Sequence, residues 1–482
     1  MKVVETPLSL CLAGVARGDI TPPVGIYHRM WGAALHDRST GIHRPLTATV
    51  LYLQSRQEAS PLPYVVIALD HCLFWAKEMG ELLDSVSQQA SIDRASLVVY
   101  FSHTHGAGLM GLERKHLPGG ELIEPYLANL ASKIAKLIQE AREGLRPASI
   151  VYGQGKCGLA KNRDLLDEER GHYVCGFNPA GITDETVVVG RVSDDAGNMI
   201  ATIVNYACHP TTLAWENTLI SPDYLGGMRD VIESATNVPC VFLQGASGDL
   251  GPLESYVGDV EIADRNGRQL GYASLAALES LPEAGFQFEY TGPVLSGATV
   301  GTWKYTAASA EQRVQQSQWD FRRDIVPLKY RIDLPSRSGL EQDDLRYRAE
   351  ERQAIEAGDA DGARKARTLI ERTTRSLVRI APLPAGDAYP YPVLAWRIGD
   401  AIWLALDGEH YNVLQRELRA RFPDVTLVIG TIANGSTVWY LLAASSYGLG
   451  LYQEEASILA KGCQEAVLET ATQTIRNLLG KP

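Results

Sequence analysis

The chain has 482 residues, 45% of them hydrophobic and 21% charged, with 44 Gly and 24 Pro, which is the composition of a folded, enzyme-sized protein rather than a disordered or fibrous one. A formal charge of −12 and a pI near 5.4 give most of the surface a potential that repels polyanions, so no nucleic-acid partner is expected. No apolar run reaches the roughly 18 residues a bilayer needs, so no membrane span is expected either.

In chain order, LSLCLAGVA near the N-terminus lacks the basic flank of a leader and reads as the first core strand. Apolar runs at 47–54, 64–74 and 96–105 read as strands. Between and after them, Lys77 to Ile92 and Pro125 to Glu143 read as surface helices, the second with Leu127, Leu130, Ile134 and Ile138 at helical spacing. Further strands are expected at 149–155, 185–194, 199–208 and 239–246, the middle two joined as a hairpin through the turn-rich DDAGN. Residues 308–376, rich in Gln, Arg, Glu and Ala, read as an inserted helical hairpin that could act as a lid. Strand texture resumes at 392–410 and 426–436, and a helix closes the chain. The expected fold is α/β, with mixed β-sheets flanked by helices in one catalytic domain over 1–482.

Seven cysteines, at 11, 72, 157, 175, 208, 240 and 463, are scattered and never spaced as CxxC. Neither a disulfide framework nor a cysteine metal site is indicated, which points to a reducing, cytoplasmic setting.

Three segments place metal-capable groups at strand ends. The first is Phe101-Ser102-His103-Thr104-His105-Gly106, after the apolar LVVY. Two histidines two positions apart point oppositely on a continuing strand, so one is expected to ligate a metal and the other to work nearby; a hydrogen-bonded core histidine fits the bare pattern equally. The second is Tyr206-Ala207-Cys208-His209-Pro210, where a buried histidine hydrogen-bonded to backbone is the other reading of the site taken alone, and the third Asp407-Gly408-Glu409-His410, whose carboxylate suits a metal or a helix N-terminus. The Gly-rich loop Gln244–Pro252 has neither phosphate-binding signature, and Ser247 is not in a GxSxG elbow.

Together these segments resemble the catalytic domain of the neutral, non-lysosomal ceramidases, zinc-dependent amidases. The resemblance runs from Gly14-Val-Ala-Arg-Gly-Asp19 through Gly41-Ile-His43, Asp70, His103-Thr-His105, Asn162-Arg163, His209, Ser221-Pro-Asp223 and Gly248-Asp249. It continues through Asp407-Gly-Glu409 and Asn434-Gly-Ser-Thr-Val-Trp-Tyr440 to Tyr452-Gln-Glu-Glu-Ala-Ser457. It implies one zinc ion held by His103, His209, Glu409 and Tyr440, with His105, Arg163 and Tyr452 catalytic and Asn162, Asp249 and Gly251 lining the substrate. It implies hydrolysis through a zinc-activated water.

The departures redirect the substrate. Gly251 stands where the resembled Gly-Asp-x-Ser-Pro motif has serine, and the end at Pro482 reads as lacking the immunoglobulin-like domain of secreted ceramidases. A small soluble amide or carbamate is therefore expected. A true ceramidase, a zinc esterase or lactonase, and a non-catalytic binding protein on the same fold are the alternatives.

Overall fold

The computed structural model describes residues 2–57 and 62–480. Its largest sheet has eight strands, in the order Cys240–Gln244, Met199–Tyr206, Thr186–Asp194, Arg146–Lys156, Leu8–Asp19, Thr47–Gln54, Tyr64–Leu69 and Leu97–Phe101. The centre is antiparallel, whereas each edge is a parallel pair: Met199–Tyr206 with Cys240–Gln244, and Tyr64–Leu69 with Leu97–Phe101. Parallel pairs are covered on both faces, which is why YVVIAL and LVVYF are uniformly apolar and buried rather than alternating. The sheet curls until its two edges approach, bringing Cys240–Gln244 beside Leu97–Phe101.

A second sheet, ordered Trp319–Lys329, Ala388–Ile398, Ala401–Leu406 and Thr426–Gly430, packs into the concave face. The seam is aromatic: the rings of Tyr64 and Trp396 stack at 4.0 Å, and Trp403 Nε1 donates to Tyr152 Oη at 3.1 Å. Helices Ala76–Ala90, Ile123–Glu143, Tyr224–Thr236 and Val260–Glu279 cover the outside of the large sheet, and Val413–Arg421 and Cys463–Leu479 cover the small one. The result is helix, sheet, sheet, helix, a mixed α/β fold. Outward-facing Gly14 lets Ile123–Glu143 lie against the sheet backbone, since a Cβ there would sit 1.9 Å from Ala141 O.

The expected hairpin of 185–194 with 199–208 is present as Thr186–Asp194 and Met199–Tyr206. Strands expected over 64–74, 96–105 and 199–208 stop at Leu69, Phe101 and Tyr206, so each chain leaves the sheet before its histidine. Residues 308–376 are not wholly helical. After the short helix Ala310–Gln316, Trp319–Lys329 forms the edge strand of the small sheet, and the helical hairpin proper is Arg337–Glu356 with Ala360–Ile380. The strand was masked by its solvated face, which supplies the polar residues between Trp319, Phe321 and Ile325, and by Pro327, which an edge tolerates. The exposed ribbon Phe286–Ser296 with Ala298–Ala307 was likewise not assigned from sequence. No helix among the described residues is long and apolar enough to cross a membrane.

Candidate active site

Three strand ends and one short parallel bridge converge on one buried point. Beyond Phe101 the backbone turns sharply, with Ser102 N bonded to Leu69 O and His103 N to His71 O, both at 2.9 Å, and His103 in the left-handed region at φ 67°. A single turn, His105–Ala107, follows, capped by Thr104 Oγ1 accepting from Gly106 N. Thr104 Oγ1 also donates to Ser221 O at 2.7 Å, tying this loop to Ser221-Pro222-Asp223. Because the strand does not continue, strand alternation does not apply: the two imidazoles lie together, ring centres 5.1 Å apart, and the His105 ring is also 5.5 Å from that of His209.

His209 follows Met199–Tyr206, and its Nε2 faces His103 Nε2 at 2.9 Å. Glu409 Oε2 lies 3.3 Å from the first of these nitrogens and 3.4 Å from the second. Tyr440 pairs with Glu409 across a short parallel bridge, which sets the phenol beside the carboxylate. The four side chains expected from sequence to hold a metal are thus brought together.

The proton inventory says what this cluster lacks. His103 Nδ1 donates to Cys72 O at 2.7 Å and His209 Nδ1 to Ser247 O at 3.0 Å. Each ring carries its proton on Nδ1 in its neutral form, so two Nε2 lone pairs face each other with a carboxylate oxygen alongside. Glu409 Oε2 is buried and accepts no hydrogen bond. Three electron-pair donors aimed at a common point repel one another unless a cation sits between them, so the residues present fit a metal ion. A second group, Cys72, His103 and His105, is also close enough to share an ion, a thiol the cysteine spacing did not suggest. It competes poorly, because His103 Nδ1, the nitrogen nearest Cys72, is engaged by a carbonyl.

The electrostatics keep the carboxylate charged and divide the imidazoles. Burial works to raise Glu409, but His103 and His209 outweigh it and hold the carboxyl well below its usual range. Burial also opposes charge on His103, yet Cys72 and Glu409 hold its pKa well above the ordinary value. His209 is pushed down to about 3 by burial, Arg163 and His103. Burial, followed by Glu409, raises the Tyr440 phenol, and Arg163 opposes the rise.

Arg163 is held by Gly248 O, which accepts from Nε at 3.2 Å and Nη2 at 2.7 Å, and Nη2 reaches Tyr440 Oη at 3.1 Å. Among the described residues His105 has no hydrogen-bond partner on either ring nitrogen, and burial and its two imidazole neighbours press its pKa well down. Tyr452 stands 6.0 Å from the Tyr440 ring and is 48% exposed in a cavity. Asn162 and Asp249 come to each other rather than into the open space: Asp249 accepts from Asn412 N at 2.7 Å and Asn162 Nδ2 at 3.4 Å, while its carbonyl anchors Arg163 N. A Cβ at Gly251 would meet Thr211 Oγ1 at 3.6 Å and Arg163 Cδ at 3.9 Å, ordinary contacts that admit a side chain.

Residues with no local sequence signal complete the walls. Trp31 lies 5.1 Å from the His105 ring, with Tyr256 and Trp215 edge-on behind it. Arg379, from helix Ala360–Ile380, lies 3.7 Å over the Trp439 ring.

Residues 11–249 match the family described as neutral/alkaline non-lysosomal ceramidase, N-terminal. Among solved structures, the neutral ceramidase from Pseudomonas aeruginosa is similar over 99% of this chain and 75% of its own, with TM-score 0.65 and 16% identity. A second, a ceramidase complexed with C2, is similar over 99% of this chain and 76% of its own, with TM-score 0.64 and 16% identity. At that identity the likeness is one of fold.

Proposed function

Starting from residues 11–249 as a member of the neutral/alkaline non-lysosomal ceramidase family, and so from a hydrolase of the ceramidase type, we propose a zinc-dependent enzyme that cleaves an amide-like C–N bond, amide or carbamate, in a small soluble substrate. The observation that carries the metal is the pair of Nε2 lone pairs facing each other at 2.9 Å beside a carboxylate oxygen without a hydrogen bond. Two imidazoles, a carboxylate and a phenol suit zinc, and His103, His209, Glu409 and Tyr440 would hold it. Bound there, zinc supplies Lewis acidity that polarises a carbonyl and makes water a better nucleophile at neutral pH.

The protein groups supply the rest. In the hydrolysis, the oxygen of water bonds to the carbonyl carbon, the C–N bond breaks, and one proton passes to the nitrogen, giving an acid and an amine. Arg163, fixed by Gly248 O, presents a cation to the carbonyl oxygen as it gains charge, and Tyr452 offers a hydroxyl on the same side. His105, with both nitrogens free, takes the proton from water and returns it to the leaving nitrogen. Asn162 and Asp249 act by positioning Arg163. Trp31 closes one wall against bulk water.

Hydrolysis of N-acylsphingosine is the second reading, favoured by the family match. Gly251 and the exposed arginine-lined cavity beside Tyr452 support a smaller polar substrate instead. Seven free thiols support a cytoplasmic setting. The test is release of amine from acyl amides, carbamates and ceramide by purified protein, before and after chelation. Amine release from the small substrates, abolished by chelator and restored by zinc, is expected; turnover undiminished by chelation contradicts the proposal, and turnover of ceramide alone selects the second reading.

A further inference from the structure

Helix Ala360–Ile380 carries five arginines whose charges are treated differently. Arg364 pairs with Asp361, Arg367 with Asp37, Glu351 and Glu371, and Arg372 with Glu455 at 2.6 Å. Arg375 and Arg379, one turn apart on the same face, have no carboxylate within 4.0 Å among the described residues. Among the described residues the Nε of each is buried without an acceptor, the one side-chain hydrogen bond of Arg375 goes to Met30 O, and Arg379 makes none. The chain carries a net charge of −12, so acids are plentiful, and leaving these two cations unpaired is a property of the site.

Both line a cavity of about 190 Å³ with Gly32, Ser376, Tyr452 and Ala456. Its two acids are already engaged, Glu371 by Arg114 at 3.0 Å and Tyr27 at 2.9 Å, and Glu455 by Arg372. Tyr452 joins this cavity to the Tyr440 cluster, and Arg379 lies over Trp439, the residue before Tyr440. Burial, reinforced by Arg375, presses the Arg379 guanidinium down to about 10 although Tyr452, Glu409 and Tyr440 oppose the shift, the mark of a cation short of an anion.

We infer that the substrate amide bears a carboxylate, received by the guanidinium groups of Arg375 and Arg379. The inference rests on the hydrolase reading and narrows its substrate to carboxylate-bearing amides. A planar guanidinium fork matches a carboxylate with two parallel hydrogen bonds, and the cavity accommodates a short acid arm. The uncharged head of an N-acylsphingosine leaves both arginines unpaired.

The probe is 4-oxodecanoate, a ketone in which a methylene replaces the amide nitrogen, whichever side of the carbonyl carries the acid arm. It is titrated calorimetrically into zinc-loaded protein beside its uncharged counterpart 4-oxodecanamide. The acid is expected to bind about tenfold tighter or better, and Arg375→Gln and Arg379→Gln each to cut that preference to about threefold or less. Equal affinities in the wild-type protein overturn the inference, and that comparison needs no variant to fold. A preference that survives in both variants assigns the carboxylate to the metal and overturns it as well. Hydrolysis restricted to neutral amides, with no preference for the acid, defeats this inference alone; absence of all amide hydrolysis defeats the hydrolase reading, while the binding comparison is read separately.

Discussion

Arg163 donates from Nη2 to Tyr440 Oη at 3.1 Å, so the cation placed to meet a substrate oxygen also touches a residue assigned to the metal. Both sit on backbone held elsewhere, Arg163 N on Asp249 O and Tyr440 beside Glu409.

Arg163→Gln removes the charge and withdraws the Nη2 donor while leaving a shorter polar side chain. Loss of a preorganised donor to a developing oxyanion costs about 10²–10³-fold in kcat. The expected outcome is that fall with zinc content unchanged and KM altered by less than about threefold. A fall in kcat that merely follows lost zinc would reduce Arg163 to a support for Tyr440.

Gly251→Ser tests the substrate argument drawn from that position. A Cβ at Gly251 would lie 3.6 Å from Thr211 Oγ1 and 3.9 Å from Arg163 Cδ, both ordinary contacts, and the backbone there is not left-handed. The variant should fold with a melting temperature within about 2 °C of the parent, since no packing is disturbed. Its ratio of ceramide to small-amide hydrolysis should rise several-fold as a hydroxyl appears beside Arg163. An unchanged ratio removes Gly251 from the specificity argument.

His28 supplies a pH prediction away from the metal ligands. Its Nε2 donates to Gly106 O at 2.9 Å and Nδ1 meets His36 Nε2 at 3.2 Å, and burial presses its pKa down to about 4. The unfolded chain binds this proton near pH 6.5, so the stability that neutral His28 contributes is complete above that pH and is lost as pH falls toward 4. Asp249, raised to about 7 by burial and Asp164, works in the opposite direction, so the difference between wild type and His28→Gln is the informative quantity. In urea titrations that difference should fall by about 3 kcal/mol between pH 7 and pH 4. A difference independent of pH contradicts the neutral, buried imidazole.

Much of the architecture was legible because apolar runs signal strands directly: YVVIAL, LVVYF, MIATIVNY and CVFLQ all lie in the large sheet. Trp319–Lys329 was not, because an edge strand with one wet face reads like the Arg- and Gln-rich helices that follow it. Within the site, His103, His209 and Glu409 announced themselves by position after strands, whereas Tyr440 came only through resemblance. Opposed side chains were expected of His103 and His105 only on a continuing strand, and nothing local marks the left-handed His103 that ends it. Trp31 reaches the His105 ring with Tyr256 behind it, and Arg375 and Arg379 line the cavity beside Tyr452; these residues lie far apart in sequence, and no spacing rule joins them.

The measurement that tests the central claim most directly is an anomalous difference map at the zinc edge from crystals of the purified protein. One peak should lie within about 2.0–2.2 Å of His103 Nε2, His209 Nε2, Glu409 and Tyr440 Oη. A map without a peak among those four groups in zinc-supplemented crystals, or with its peak at another cluster, contradicts the account.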